Sequence, residues 1–268
     1  MFSTPFAFLA QSNSVPYDTD AQAYIDAVIA AGGSLDSTQQ DAVNALFVGL
    51  KDDGIYSSLY AFYPIVGGVE DAHKINANLD ASYDLTYYGG WTHDAGGQTP
   101  DGIAGTYADT AYVIPANAYS NSFGIYVTDD SWVNGYASDM GCTDGSSYFW
   151  LASFWPGENA ARYWNLNGNV FYNSPPSSGF LVNSRTAVDL WENYFNGTLV
   201  STDTSTATGN GTMPPIALGG IKYPSSIEFS SSRNQIFAFM AQGLTLAEVG
   251  NLYTIVNAFQ TSLGRNTY

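Results

Sequence analysis

Basic residues are scarce: seven Lys and Arg stand against 24 Asp and Glu, a formal charge of -17 over 268 residues. A surface so acidic repels phosphate backbones and anionic membranes, which excludes nucleic acid as a partner. No Lys or Arg precedes Lys51, so a bound cation would meet little fixed positive charge there. Cys142 is the single cysteine; it excludes an internal disulfide and a cysteine-rich zinc site, and its expected role is that of a small buried residue. His73 and His93 are the two histidines, and neither has a second histidine two or four residues away. No apolar run reaches the ~20 residues that span a bilayer. The opening MFSTPFAFLAQSN has no basic residue before its apolar stretch, which Thr4 and Pro5 interrupt, so neither a signal peptide nor an anchor is expected.

What is present suffices for a packed core: 45% of residues are hydrophobic and 15% aromatic, which argues for a folded chain. From Asp18 to Ala31, Ala21, Tyr24, Ile25, Val28 and Ile29 recur at helical spacing before Gly32 and Gly33. A second helix follows, with Ser37 as cap, Gln40 as its capping-box partner and a stripe of Val43, Leu46, Phe47 and Leu50. The two form a helical hairpin, joined by the aromatic connector Ile55 to Gly68. Near the end, Thr245 with Glu248 three residues on opens a helix carrying Leu246, Val249, Leu252, Tyr253, Val256 and Phe259.

Beyond Asn78, short runs rich in Tyr, Phe, Trp, Val and Thr alternate with Gly, Asn, Asp, Ser and Pro about every ten residues, the all-β pattern. Strands are expected at Tyr83 to Tyr88, Thr110 to Ile114, Asn121 to Val127, Ser147 to Phe154, Arg162 to Leu166, Gly179 to Arg185, Val188 to Phe195, Pro215 to Leu218 and Gln235 to Met240. Asn196-Gly197 and Asn167-Gly168 are the favoured dipeptides of tight hairpins. Ser201 to Thr212, poor in apolar residues, reads as a mobile loop. No repeat of 20 to 50 residues is present, against a solenoid or propeller. The chain divides as an N-terminal arm and helical hairpin over residues 1–78 and a β-sandwich with a C-terminal helix over 79–268, which together could fold as one unit.

Candidate sites are few. WTHDAGGQTPDG sets His93 beside Asp94 with Asp101 nearby, but with too few ligands for a transition metal it reads as a structural glycine-rich loop. Asp129, Asp130, Asp139 and Asp144, with Asn134, offer oxygen ligands suited to calcium, though their spacing fits no EF-hand and solvated turn carboxylates explain them as well. Of the six tryptophans, Trp132 in a polar segment and Trp155 before Pro156-Gly157 are the candidates for stacking on sugar rings; core and interface packing are the competing roles. Glycan hydrolysis needs two carboxylates facing across a cleft. Asp189 and Glu192, three apart on an expected strand, would point to opposite faces, and Glu158 and Glu228 lie near turns. With no nucleophile elbow and no phosphate-cradling loop, the expectation is a chain without a catalytic residue, not an enzyme, and without an obligatory cofactor.

SRTAVDLWENYFNGTLVST resembles the strand pair of laminin-G-like and concanavalin A-like jelly rolls. GGWTHDAGG, GIAGTYADTAYVIP and SSSRNQIFAFMAQGLTLAEVGNLYTIVNAFQTSLGR resemble segments of a group of bacteriophage proteins of lectin-like fold, over roughly Thr19 to Arg265. That resemblance implies a mainly β, concanavalin A-like jelly-roll sandwich with a helical hairpin at its start and a C-terminal helix packed on it. It further implies a virion structural protein at the particle surface: a capsid decoration, head fibre or tail-associated subunit, made in the host cytoplasm. Other virion proteins and further copies of the chain would be its partners, and host-surface glycans its attachment target. A carbohydrate-binding module is the alternative, and a glycan depolymerase a third.

Overall fold

The computed structural model describes residues 16–116, 119–128, 137–155, 160–165, 168–172, 178–204 and 212–266, with the side chains of 152–172 left aside. The protein is mainly β, with two sheets and a helical layer. Helices α1 (Thr19–Ala30), α2 (Ser37–Asp52) and α4 (Leu246–Ser262) are amphipathic; α3 (Glu70–His73) is one turn. Asp18 caps α1 by accepting from the Asp20 and Ala21 amides. In α2 the cap is Asp36, whose partner in the capping box is Gln39, not Ser37 with Gln40. The frame sits one residue earlier because a carboxylate is the better acceptor for the free amides of a first turn. The capping box of Thr245 with Glu248 forms as expected. Ile29 and Leu246, expected in the buried stripes, are exposed.

The first sheet runs in the order β13 (Thr198–Asp203), β12 (Leu190–Phe195), β11 (Gly179–Ala187), β6 (Asn121–Val127), β17 (Gln235–Ala241), β4 (Gly97–Pro100), β3 (Trp91–Asp94). Strand β1 (Leu59–Tyr63), inside the segment expected as connector, also pairs with β17, so residues before 78 supply part of this sheet. The second sheet runs β10 (Gly168–Tyr172), β9 (Ala160–Asn165), β8 (Tyr148–Trp155), β7 (Met140–Thr143), β14 (Ala217–Leu218), β5 (Tyr107–Asp109), β2 (Thr86–Tyr88), with β15 (Ile221–Lys222) and β16 (Ile227–Glu228) added beside β7. All pairings are antiparallel save a single parallel bridge, Lys222 to Cys142.

The first sheet is the middle layer, and side-chain alternation along its strands divides the core. From β17, Phe237 and Phe239 pack toward α1, α2 and α4, while Ala238 and Met240 face the second sheet. On β6, Tyr126 joins the helical side; Phe123, Ile125 and Val127 join the intersheet side. Buried on both faces, β6 and β17 need near-continuous apolar sequence. Each large apolar side chain so buried contributes about 1.5–3 kcal/mol.

Several expectations shift. Thr110 to Ile114 is not a strand; pairing ends at Asp109, and Ala111 adopts a positive φ of 56°. The loop expected at WTHDAGGQTPDG is the β3–β4 hairpin, in register from Trp91–Pro100 to Asp94–Gly97. Ser201 to Asp203 belong to β13, and residues 205–211 lie outside the described part. Cys142 is buried, as expected, and burial pushes its thiol up. Among the described residues no helix is long and apolar enough to cross a membrane.

Candidate functional site

The outer face of the second sheet carries the most open chemistry. In the register of β2 with β5, Tyr88 lies opposite Tyr107, Tyr87 opposite Ala108 and Thr86 opposite Asp109. Ala108 is buried between the sheets, so strand alternation turns Tyr107, Asp109, Thr86 and Tyr88 outward. Tyr88 and Tyr107 stack with ring centroids 4.6 Å apart at 11°. Tyr107 forms one wall of a cleft of about 360 Å³ whose other walls are Lys222, Tyr223, Ser225, Ser226 and Ile227. Lys222 pairs with the Asp109 carboxylate and lies 5.4 Å from the Tyr107 ring centre. Tyr223 is backed by Trp150, Ile221 and Phe229, with Trp150 stacked on Phe229. Burial first, then Tyr88 and Asp109, raise the Tyr107 phenol, and burial followed by Glu228 raises that of Tyr223. Both remain protonated hydrogen-bond donors at neutral pH.

A second cleft, about 370 Å³, opens at the other end of β2 between Glu70, Lys74, Asp84, Leu85, Thr86 and Tyr87. Asp84 accepts the Asn76 amide at 2.8 Å; burial raises its carboxyl pKa against the opposing pull of that amide and of Lys74. Behind this cleft the two histidines meet. His73 Nε2 accepts the Gly68 amide at 3.2 Å, and its Nδ1 lies 3.0 Å from His93 Nδ1. The amide occupies the Nε2 lone pair, so a neutral His73 carries its proton on Nδ1 and donates it to His93. His93 then holds its own proton on Nε2, facing Glu70 Oε2 at 3.8 Å. Burial, His93 and Arg265 lower the pKa of His73 to about 3; burial lowers that of His93 against Glu70 and Asp94. The pair is therefore neutral at pH 7. A metal shared by the two Nδ1 atoms would need the His73 proton on Nε2, where the Gly68 amide already points. Tyr87 packs edge-on to His93, centroids 4.7 Å apart, and donates to Gln98 Oε1 at 2.5 Å.

Asp129, Asp130 and Trp132 lie outside the described residues. Trp155 ends β8, its side chain likewise outside. Asp139 is buried, accepting from Ser231 Oγ at 2.8 Å, and Asp144 accepts the Ser146 and Ser147 amides in the β7–β8 turn. They flank the four residues of β7, about 16 Å apart along an extended strand, so one ion cannot take both. Among the described residues no three His, Cys, Asp or Glu groups gather as a metal site. Trp150 and Trp191 are core. The histidine pair and both clefts escaped the sequence, because their members lie far apart along the chain; the weak signal was the Tyr-rich LTYYGG facing GTYAD.

No protein-family model and no curated protein sequence matches this chain. It is similar in fold to domain 4 of AbnA, a GH43 extracellular arabinanase from Geobacillus stearothermophilus solved with arabinotriose, at 15% identity and TM-score 0.50, over 73% of this chain and 98% of that one. It is also similar to a mutant Trypanosoma rangeli sialidase displaying trans-sialidase activity, at 12% identity and TM-score 0.53, over 81% of this chain. There it spans 39% of the sialidase's length. These likenesses correct the expectation of a non-enzyme, since the same fold occurs within chains of glycan-processing enzymes. The carboxylate pair not found in any sequence run is also present in space, Glu70 and Asp84 lining one cleft. What these similarities establish is the fold alone, a β-sandwich shared with domains of carbohydrate-active proteins.

Proposed function

We propose that this chain is a glycan-contacting β-sandwich module of concanavalin A-like type, carried at the surface of a bacteriophage particle, and that saccharide sits in the Tyr107 cleft. The carrying observation is the Tyr88–Tyr107 stack beside the Lys222–Asp109 pair. A flat aromatic face packs against the apolar C–H face of a sugar ring, while a carboxylate, an ammonium and serine hydroxyls exchange hydrogen bonds with its hydroxyls. The arabinotriose bound to the AbnA domain and the phage-type segments support the reading from two sides. Glycan-array binding followed by titration of each hit tests it. Tyr107→Ala is expected to weaken binding at least tenfold, with the fold retained by circular dichroism. Blank arrays, or equal binding by the variant, would refute it.

A second reading is glycan cleavage, favoured by Glu70 and Asp84 in one cleft with only the Asp84 carboxyl raised. Unequal carboxylates divide the roles of acid and base. Release of reducing ends from a bound polysaccharide, lost in both Glu70→Gln and Asp84→Asn, is the expected result; no release by the intact chain overturns it.

A further inference from the structure

The two clefts are not independent. Cleft one begins at Tyr107 and cleft two ends at Thr86, and these residues belong to adjacent paired strands. The Tyr88–Tyr107 and Thr86–Asp109 pairs lie on one outward face of the β2–β5 ladder, two residues or about 7 Å apart, the scale of a single sugar ring. Strand β2 is the last of its sheet, so nothing in that sheet lies beyond it to close the path. Exposed Thr86 and Tyr88 therefore bridge the clefts across a surface without a wall.

Charge selects the class of occupant. Both lysines along this path are already engaged by carboxylates of the chain, Lys222 by Asp109 and Lys74 by Asp71. Glu70 and Asp84 also face it, and the whole chain carries a formal -17. An acidic polysaccharide would meet repulsion with no free cation to offset it.

We infer that the β2–β5 face is a continuous track for the interior of an extended, neutral polysaccharide, with the Tyr107 and Glu70/Asp84 clefts as its two ends. This rests on the glycan-contacting role proposed above and names its ligand class. A track differs from a pocket in how affinity depends on ligand length, because separate subsites add contacts within one molecule.

The test is calorimetric titration of the full chain with neutral arabinan-, glucan- and mannan-derived oligosaccharides of two to eight units, with oligogalacturonates as the acidic series. At least one neutral series is expected to tighten tenfold or more with length. Thr86→Ala combined with Lys74→Ala is expected to weaken the longest members at least fivefold while leaving the shortest within twofold. Length-independent affinity, or a double variant equal to the parent on the longest members, overturns the track while the glycan role stands. Tighter binding of the acidic series overturns the neutral class. No binding in any series removes the track and the glycan role together.

Discussion

His73 donates from Nδ1 to His93 Nδ1 across 3.0 Å, an arrangement held by the Gly68 amide on the far side of the His73 ring. Gly68 has a φ of 74°, and this left-handed turn at the end of the Gly67-Gly68 pair delivers the amide. Two histidines twenty residues apart thereby become one buried neutral unit between α3 and β3.

That unit makes stability depend on pH in a definite direction. Both rings have folded pKa values below the ordinary histidine value of 6.5, His73 at about 3. Below pH 6.5 the unfolded chain takes up protons that the folded chain refuses, so stability falls as pH drops, until His73 itself is protonated near pH 3. For His73 alone the loss between pH 7 and pH 5 is about 2 kcal/mol. Thermal unfolding of the parent and His73→Gln at both pH values measures it. The parent should lose more than the variant, and equal losses would contradict the pairing.

Arg265 explains the Leu-Gly-Arg ending of the last helix. Its guanidinium donates to the Ile65 carbonyl at 2.6 Å, the Pro64 carbonyl at 3.2 Å and Gln260 Oε1 at 2.9 Å. It stays charged, although burial lowers its pKa to about 10. Ile65 has a positive φ of 51°, and the arginine fork holds that strained segment against α4. Arg265→Ala is expected to cost about 3 kcal/mol by leaving these acceptors buried and unpaired. Lysine should recover less than half, because it lacks the planar fork. Urea titration reads both, and an unchanged midpoint for the alanine variant would show the contacts to be dispensable.

Gly197 couples a turn to a helix. With Asn196 at φ 48° and Gly197 at φ 72°, the dipeptide forms the tight hairpin between β12 and β13. A Cβ at Gly197 would come 2.8 Å from the Tyr253 ring of α4. Gly197→Ala should therefore cost about 1–3 kcal/mol. In a Tyr253→Ala background only the backbone part, ~1 kcal/mol, should remain. If the cost is the same in both backgrounds, the close approach contributes nothing.

The sequence by itself determined the local devices and the texture. The buried stripes of α2 and α4, the Thr245–Glu248 box, β6 over Asn121–Val127, the Asn196-Gly197 hairpin and burial of Cys142 all follow from neighbours within a few residues. Side-chain period, capping and turn geometry are properties of such neighbours. It did less well where two local choices compete: Asp36 took the cap from Ser37, and the β3–β4 hairpin formed where glycines suggested a loop. The tertiary structure alone decided the placement of β1 beside β17, the His73–His93 pair, the Glu70–Asp84 cleft and the Tyr88–Tyr107 face. Each depends on which strands become partners, and that is settled by burying apolar area on both faces of the middle sheet, a sum over the whole chain that no short window contains.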